Sequence, residues 1–149
     1  MKRIASFAAV FLFTLCGSAQ QMQVVNTQDA PKVIGPYSQA IKVQGLVFTA
    51  GQIPLDPGTG KIVGSDITTQ TDRVLKNLQA VLQAAGSNLE NVVKATVYLK
   101  NISDFPAFNE VYGRYFKNSP PARSTVQVVN LPKDALVEIE AIAVVPASH

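Results

Sequence analysis

Cysteine is nearly absent from this chain of 149 residues: Cys16 is the only one. Histidine is as scarce, with His149 at the chain end. One cysteine excludes an internal disulfide framework. With one terminal histidine beside it, a zinc site has almost no ligands to draw on. There is no catalytic histidine pair. No basic patch with interleaved aromatics marks a nucleic-acid surface, and no nucleic-acid partner is expected. Charged residues make up 15% of the chain and the net charge is +3, too weak a bias to indicate a partner. Asp56-Pro57-Gly58-Thr59-Gly60 lacks the glycine-lysine-serine/threonine ending of a phosphate loop and reads as a plain turn. There is no internal repeat, low-complexity segment or second domain. What is plentiful is apolar sequence: at 47% hydrophobic, one domain can bury a sizeable core without covalent staples.

The N-terminus accounts for the lone cysteine. Lys2 and Arg3 precede an apolar run over 4–15, and Gly17-Ser18-Ala19 supplies small residues after it. The run suits a signal-peptide core and is short for a membrane span. The expectation is a signal peptide over 1–19, cleavage after Ala19, and a mature domain over 20–149 that is periplasmic or secreted and free of the membrane. The alternatives are an uncleaved anchor and a lipoprotein through Cys16, the latter disfavoured by the bulk of Leu15. Cleavage would leave no thiol, which excludes a thiolate nucleophile and suits an oxidising compartment.

The rest divides into strands and two helices. Residues 22–26 read as a first short strand. Residues 41–43 and 46–50 read as two strands joined around Gly45. Over 67–85, Val74, Leu75, Leu78, Val81, Leu82 and Ala85 recur at helical spacing. Ser65 or Asp66 can cap that helix, and Gly86 stands where a closing glycine belongs. Residues 92–100 alternate, with Val93, Ala95, Val97 and Leu99 predicted to face inward. Ser103 or Asp104 can cap a second helix over 105–116, whose Phe105, Phe108, Tyr112 and Tyr115 form a core-facing stripe. Asn109, at the edge of that stripe, reads as a surface amide. Helices on one face of a mixed sheet make an α+β layered domain.

The stretch from Pro120 to Val145 holds the charges that matter. Two strand-like runs flank Asn130-Leu131-Pro132-Lys133-Asp134. Arg123 stands at the mouth of the first run. Glu138 and Glu140 lie in the second, on one face by the period of two. One reading is a solvated outer face. The other is a pocket with a guanidinium for an anion and a carboxylate for proton chemistry, since isolated charges are costly to bury unpaired. Gly51 reads either as a plain strand end or as a place where a ligand approaches the backbone.

Four segments carry a resemblance. Ile34-Gly35-Pro36-Tyr37-Ser38-Gln39-Ala40, Ala50-Gly51-Gln52-Ile53-Pro54, Pro121-Ala122-Arg123-Ser124, and Leu131-Pro132-Lys133-Asp134 followed by Glu138-Ile139-Glu140-Ala141 are similar, in order, to the reactive intermediate deaminase (RidA/YjgF) family, also called L-PSP endoribonuclease. The resemblance implies a chorismate-mutase-like α+β fold, with two helices on one face of a mixed sheet, assembled as a homotrimer with clefts between subunits. It implies hydrolysis of enamines and imines such as 2-iminopropanoate and 2-iminobutanoate to 2-oxo acids and ammonia. By the matched motifs, Arg123 would bind the substrate carboxylate and Glu138 would hold the attacking water. Tyr37, Gly51, Asn109 and Thr125 would line the cleft, and the resemblance implies no metal and no organic cofactor. Two positions depart from the usual pattern: Ala50 stands where many members have serine, and Thr125 where many have cysteine. The older family name keeps an endoribonuclease or translation inhibitor as an alternative. A non-catalytic binder of small carboxylates is another.

Overall fold

Gln44 and Gly45 both adopt left-handed backbone conformations, with φ of 50° and 72°. Two such residues in a row form the tight turn whose twist matches paired strands. They join β2 (Ala40–Val43) to β3 (Leu46–Thr49) in register Val43↔Leu46. β1 (Gln23–Val25) adds antiparallel to β2. The computed structural model describes residues 21–147. The expected signal peptide, Cys16 and His149 lie outside the described residues.

α1 (Ile67–Ala84) is bounded by two local signals. The Asp66 carboxylate accepts the Thr69 amide at 2.9 Å, satisfying a free N–H of the first turn. At the other end Gly86 takes φ 81°. The Gly86 and Ser87 amides then donate back to the carbonyls of Gln83 and Leu82, a Schellman closure. The apolar stripe of α1 packs on the sheet. Val74, Leu75, Leu78, Val81 and Leu82 are fully buried against Val47, Val97, Leu99, Val137 and Ile139.

The remaining elements are β4 (Val92–Leu99), α2 (Phe105–Tyr115), β5 (Ala122–Gln127) and β6 (Val137–Val144). The six strands form one sheet in the order β1-β2-β3-β6-β4-β5, and both helices lie on one face of it. β4 and β5 are parallel neighbours joined through α2, a crossover unit. β6 enters antiparallel between β3 and β4. β5 and β6, although consecutive, therefore do not pair. The domain is α+β with a mixed sheet, as the pattern of elements implied.

Three local expectations need correction. Val93 was expected to face inward but is 48% exposed, while Val92 is buried. The β4–β6 register slips between Val92 and Lys94, and such a bulge resets the alternation. Asp104 precedes α2 but makes no capping bond. Asn101 does so instead, accepting the Ser103 amide at 3.1 Å to start a short 3-10 turn that runs into α2. The aromatic stripe of α2 continues to Phe116 rather than Tyr115. Neighbouring ring centroids from Phe105 through Phe108 and Tyr112 to Phe116 are 6.4, 5.3 and 4.4 Å apart. Tyr115 turns to α1 and donates to Asp72 at 2.5 Å.

Candidate functional site

The six residues singled out from sequence fall into two groups. The first is built on β5 and α2. Arg123 pairs with Ala95 of β4, a buried residue, so its side chain rises on the helix face of the sheet. There its guanidinium lies over three rings of α2, with centroid distances of 5.5 Å to Phe105, 5.3 Å to Phe108 and 4.4 Å to Tyr112. Stacking on an aromatic face holds a guanidinium without consuming its N–H donors. One donor, Nη2, is used on Asn109 Oδ1 at 2.7 Å. Asn109 is therefore an orienting partner of Arg123, not the surface amide its position indicated. The two ion pairs among the described residues are Lys76–Asp72 and Lys100–Asp134, so Arg123 has no carboxylate partner there. Burial pushes the Tyr112 phenol up to about 12, against the pull of the Arg123 charge. Thr125, two residues along β5, has a buried hydroxyl without a hydrogen-bond partner among the described residues. With Arg123, Ile102, Phe105 and Pro106 it lines an open hollow.

The second group surrounds β6. Gln52 exchanges two backbone hydrogen bonds with Ile139, at 2.8 and 3.1 Å, which draws Gly51 against the neighbouring Glu138. A Cβ on Gly51 would stand 2.8 Å from the Glu138 carboxyl carbon and overlap one of its oxygens. A side chain there would push the Glu138 carboxylate aside. The close approach foreseen at Gly51 is therefore made by a side chain of the same chain. Glu138 is partly buried. Desolvation raises its carboxyl above the usual glutamate range, and the nearby Glu140 charge adds to the rise. Tyr37, 54% exposed, lines a cavity of about 300 Å³ with Gly51, Ile34, Ile53, Leu55 and Lys133.

The two groups lie on opposite sides of the sheet. Glu138 pairs with Tyr98 and alternates with buried Val137 and Ile139, so it points away from the helices. Glu140 points the same way, as the period of two required. Arg123 is on the helix side, two strands across and level with Ala141 through Ala95. At about 4.8 Å per strand spacing and 3.3 Å per residue, the two positions are on the order of 10 Å apart both across and along the sheet. One chain does not bring them onto one small molecule. Sequence reasoning also missed the ring platform: Phe105, Phe108 and Tyr112 read as core alone, and only the pairing of β5 with β4 shows Arg123 above them. Among the described residues no group of three or more His, Cys, Asp or Glu side chains could hold a metal. No described helix is long and apolar enough to cross a membrane.

The Endoribonuclease L-PSP family model matches residues 27–145, which span both groups. The chain belongs to this family, the RidA/YjgF family of the sequence resemblance. It is 59% identical over 121 residues to a RutC family protein of Pyrococcus abyssi, covering 81% of this chain and 95% of that one. It is 44% identical over 151 residues to the chloroplastic Reactive Intermediate Deaminase A of Arabidopsis thaliana, covering 93% of this chain and 81% of that protein. Among solved structures, Escherichia coli TdcF with bound serine is similar with a TM-score of 0.79 at 44% identity, covering 82% of this chain and 98% of that one. The L-PSP fold of this chain thus carries the two residue groups on opposite faces of its sheet.

Proposed function

We propose that the protein hydrolyses small imines and enamines of the 2-iminopropanoate and 2-iminobutanoate type to 2-oxo acids and ammonia, in clefts shared between copies of a homotrimer. The observation that carries this reading is an Arg123 with no acidic partner among the described residues, poised on rings and steered by Asn109. Such a guanidinium is a ready receptor for a carboxylate. The Arabidopsis relative is named a reactive intermediate deaminase, and TdcF binds serine, a small molecule with a carboxylate; both names accord with the reading.

The chemistry needs a base and a proton source. An enamine first takes a proton on carbon and gives one up from nitrogen, becoming the imine. Glu138 of one copy accepts a proton from water as its oxygen adds to the imine carbon, while Arg123 of a neighbouring copy holds the substrate carboxylate. The protonated Glu138 returns that proton to nitrogen, then takes the second water proton from the hydroxyl of the adduct and passes it to nitrogen, so that the carbonyl forms, the C–N bond breaks and ammonia leaves. A carboxyl raised by desolvation is suited to both halves of this exchange. Thr125 is not needed as a nucleophile, since no base stands beside its buried hydroxyl.

Imines generated in situ from several amino acids test the proposal, with 2-oxo acid and ammonia release as the readout. Faster release than in buffer, lost in Glu138→Gln, is expected. Release at the buffer rate would contradict it. RNA incubated under the same conditions should remain intact; cleavage would favour the endoribonuclease reading.

A further inference from the structure

We propose that Glu140, held by Tyr98, is a positioning residue that sets the protonation of Glu138. This inference rests on the reading of Glu138 as the acid–base group. The sheet face away from the helices brings the three together. Tyr98 of β4 lies directly across from Glu138 of β6, and Thr96 lies across from Glu140. From its position the Tyr98 hydroxyl reaches diagonally and donates to Glu140 Oε1 at 3.2 Å. Glu140 is thus held in place, two residues from Glu138 on the same face.

The other charged groups on that face are committed elsewhere. Lys94 of β4 lines a small hollow with Glu140, but its ammonium donates to Ser124 Oγ at 2.8 Å. Lys100, just past β4, is paired with Asp134. β3 and β5 contribute Leu46, Phe48, Ser124 and Val126 to this face, and the Ala50–Ile53 crossing adds no ionisable group. Among the described residues, neither glutamate has a cation within ion-pair distance. The like charge of Glu140 therefore acts on Glu138 with no ion pair to either carboxylate among the described residues. It disfavours the second negative charge and keeps Glu138 able to return a proton. Burial of the Tyr98 hydroxyl and the Glu140 charge both raise the phenol, so Tyr98 stays a donor over the working pH range.

The test compares the wild type, Glu140→Gln, Tyr98→Phe and Glu138→Gln in the assembled protein. Two readouts are followed: the pH profile of imine hydrolysis and the NMR titration of a 13C-labelled Glu138 carboxyl. In Glu140→Gln both midpoints should move to lower pH, raising turnover at the acid end relative to the plateau roughly two- to fivefold. Tyr98→Phe should move them the same way by less. A Glu138 titration midpoint unmoved in Glu140→Gln would overturn the inference and leave the deaminase reading standing. If Glu140→Gln does not assemble, an unmoved midpoint in Tyr98→Phe would overturn it equally. Full turnover in Glu138→Gln would instead overturn the acid–base role of Glu138 on which this inference rests, release at the buffer rate in the wild type would overturn the deaminase reading, and the NMR midpoints would still decide the coupling.

Discussion

Arg123 and Glu138 stand on opposite faces of one sheet, two strands apart. The first rests on the α2 rings and the second projects away from both helices. A small imino acid needs a carboxylate receptor and a water-activating base within a few ångströms of each other. That geometry is available only if the helix side of one copy meets the opposite side of another. Closed cyclic assembly supplies such a contact at every interface.

Gly51→Ala should abolish most turnover while leaving the fold intact. The added methyl would occupy the space of the Glu138 carboxylate. That carboxylate is the free end of a flexible side chain, so it can swing aside at little structural cost. Thermal unfolding should change little while the imine hydrolysis rate falls by a factor of ten or more, roughly the cost of misplacing a catalytic group by an ångström. Wild-type turnover in this variant would show that the position of Glu138 is unimportant.

Replacing Glu138 should change the pH dependence of stability. Its carboxyl is raised in the folded state, by desolvation first and by Glu140 second. The folded chain therefore binds a proton more readily than the unfolded chain, whose glutamate titrates near 4.5. The resulting stabilisation is complete below that value and is lost as pH rises through the folded-state value. Glu138→Gln removes the ionisation, so its melting temperature should exceed that of the wild type at neutral pH. The advantage should shrink as pH falls toward 4. A variant less stable than wild type at pH 7 would contradict this account.

Much of the fold was readable because local signals agreed. The stripe from Val74 to Leu82, the Asp66 cap and the Gly86 closure all pointed to one helix. The Gly45 turn marked a hairpin whose turn geometry the structure bears out. Val93 was misread because a bulge leaves no mark in an alternating run. The site was legible in its residue types but not in its arrangement. Nothing in the stretch from Arg123 to Glu138 says that β4 comes between the two strands; that insertion sets them two strands apart, and their registers with β4 put the arginine and the glutamate on different sides. The role of Asn109 was hidden for the same reason: its partner is on β5, 14 residues away.

Export is a separate proposal, carried by Lys2, Arg3, the apolar run over 4–15 and Gly17-Ser18-Ala19. Mass spectrometry of the protein expressed in a bacterial host should find a chain beginning at Gln20 in the periplasmic fraction. An intact Met1 terminus in the cytosol would contradict it.

Complementation between two inactive variants tests the shared cleft most directly. Arg123→Ala and Glu138→Gln are purified separately, each with negligible imine hydrolysis, then unfolded and refolded together in equal amounts. In randomly mixed rings, about one interface in four would join an intact Arg123 to an intact Glu138 from different copies. The account predicts recovery of about a quarter of wild-type activity. A mixture that stays as inactive as its two components, with mixed trimers confirmed by native mass spectrometry, would contradict it.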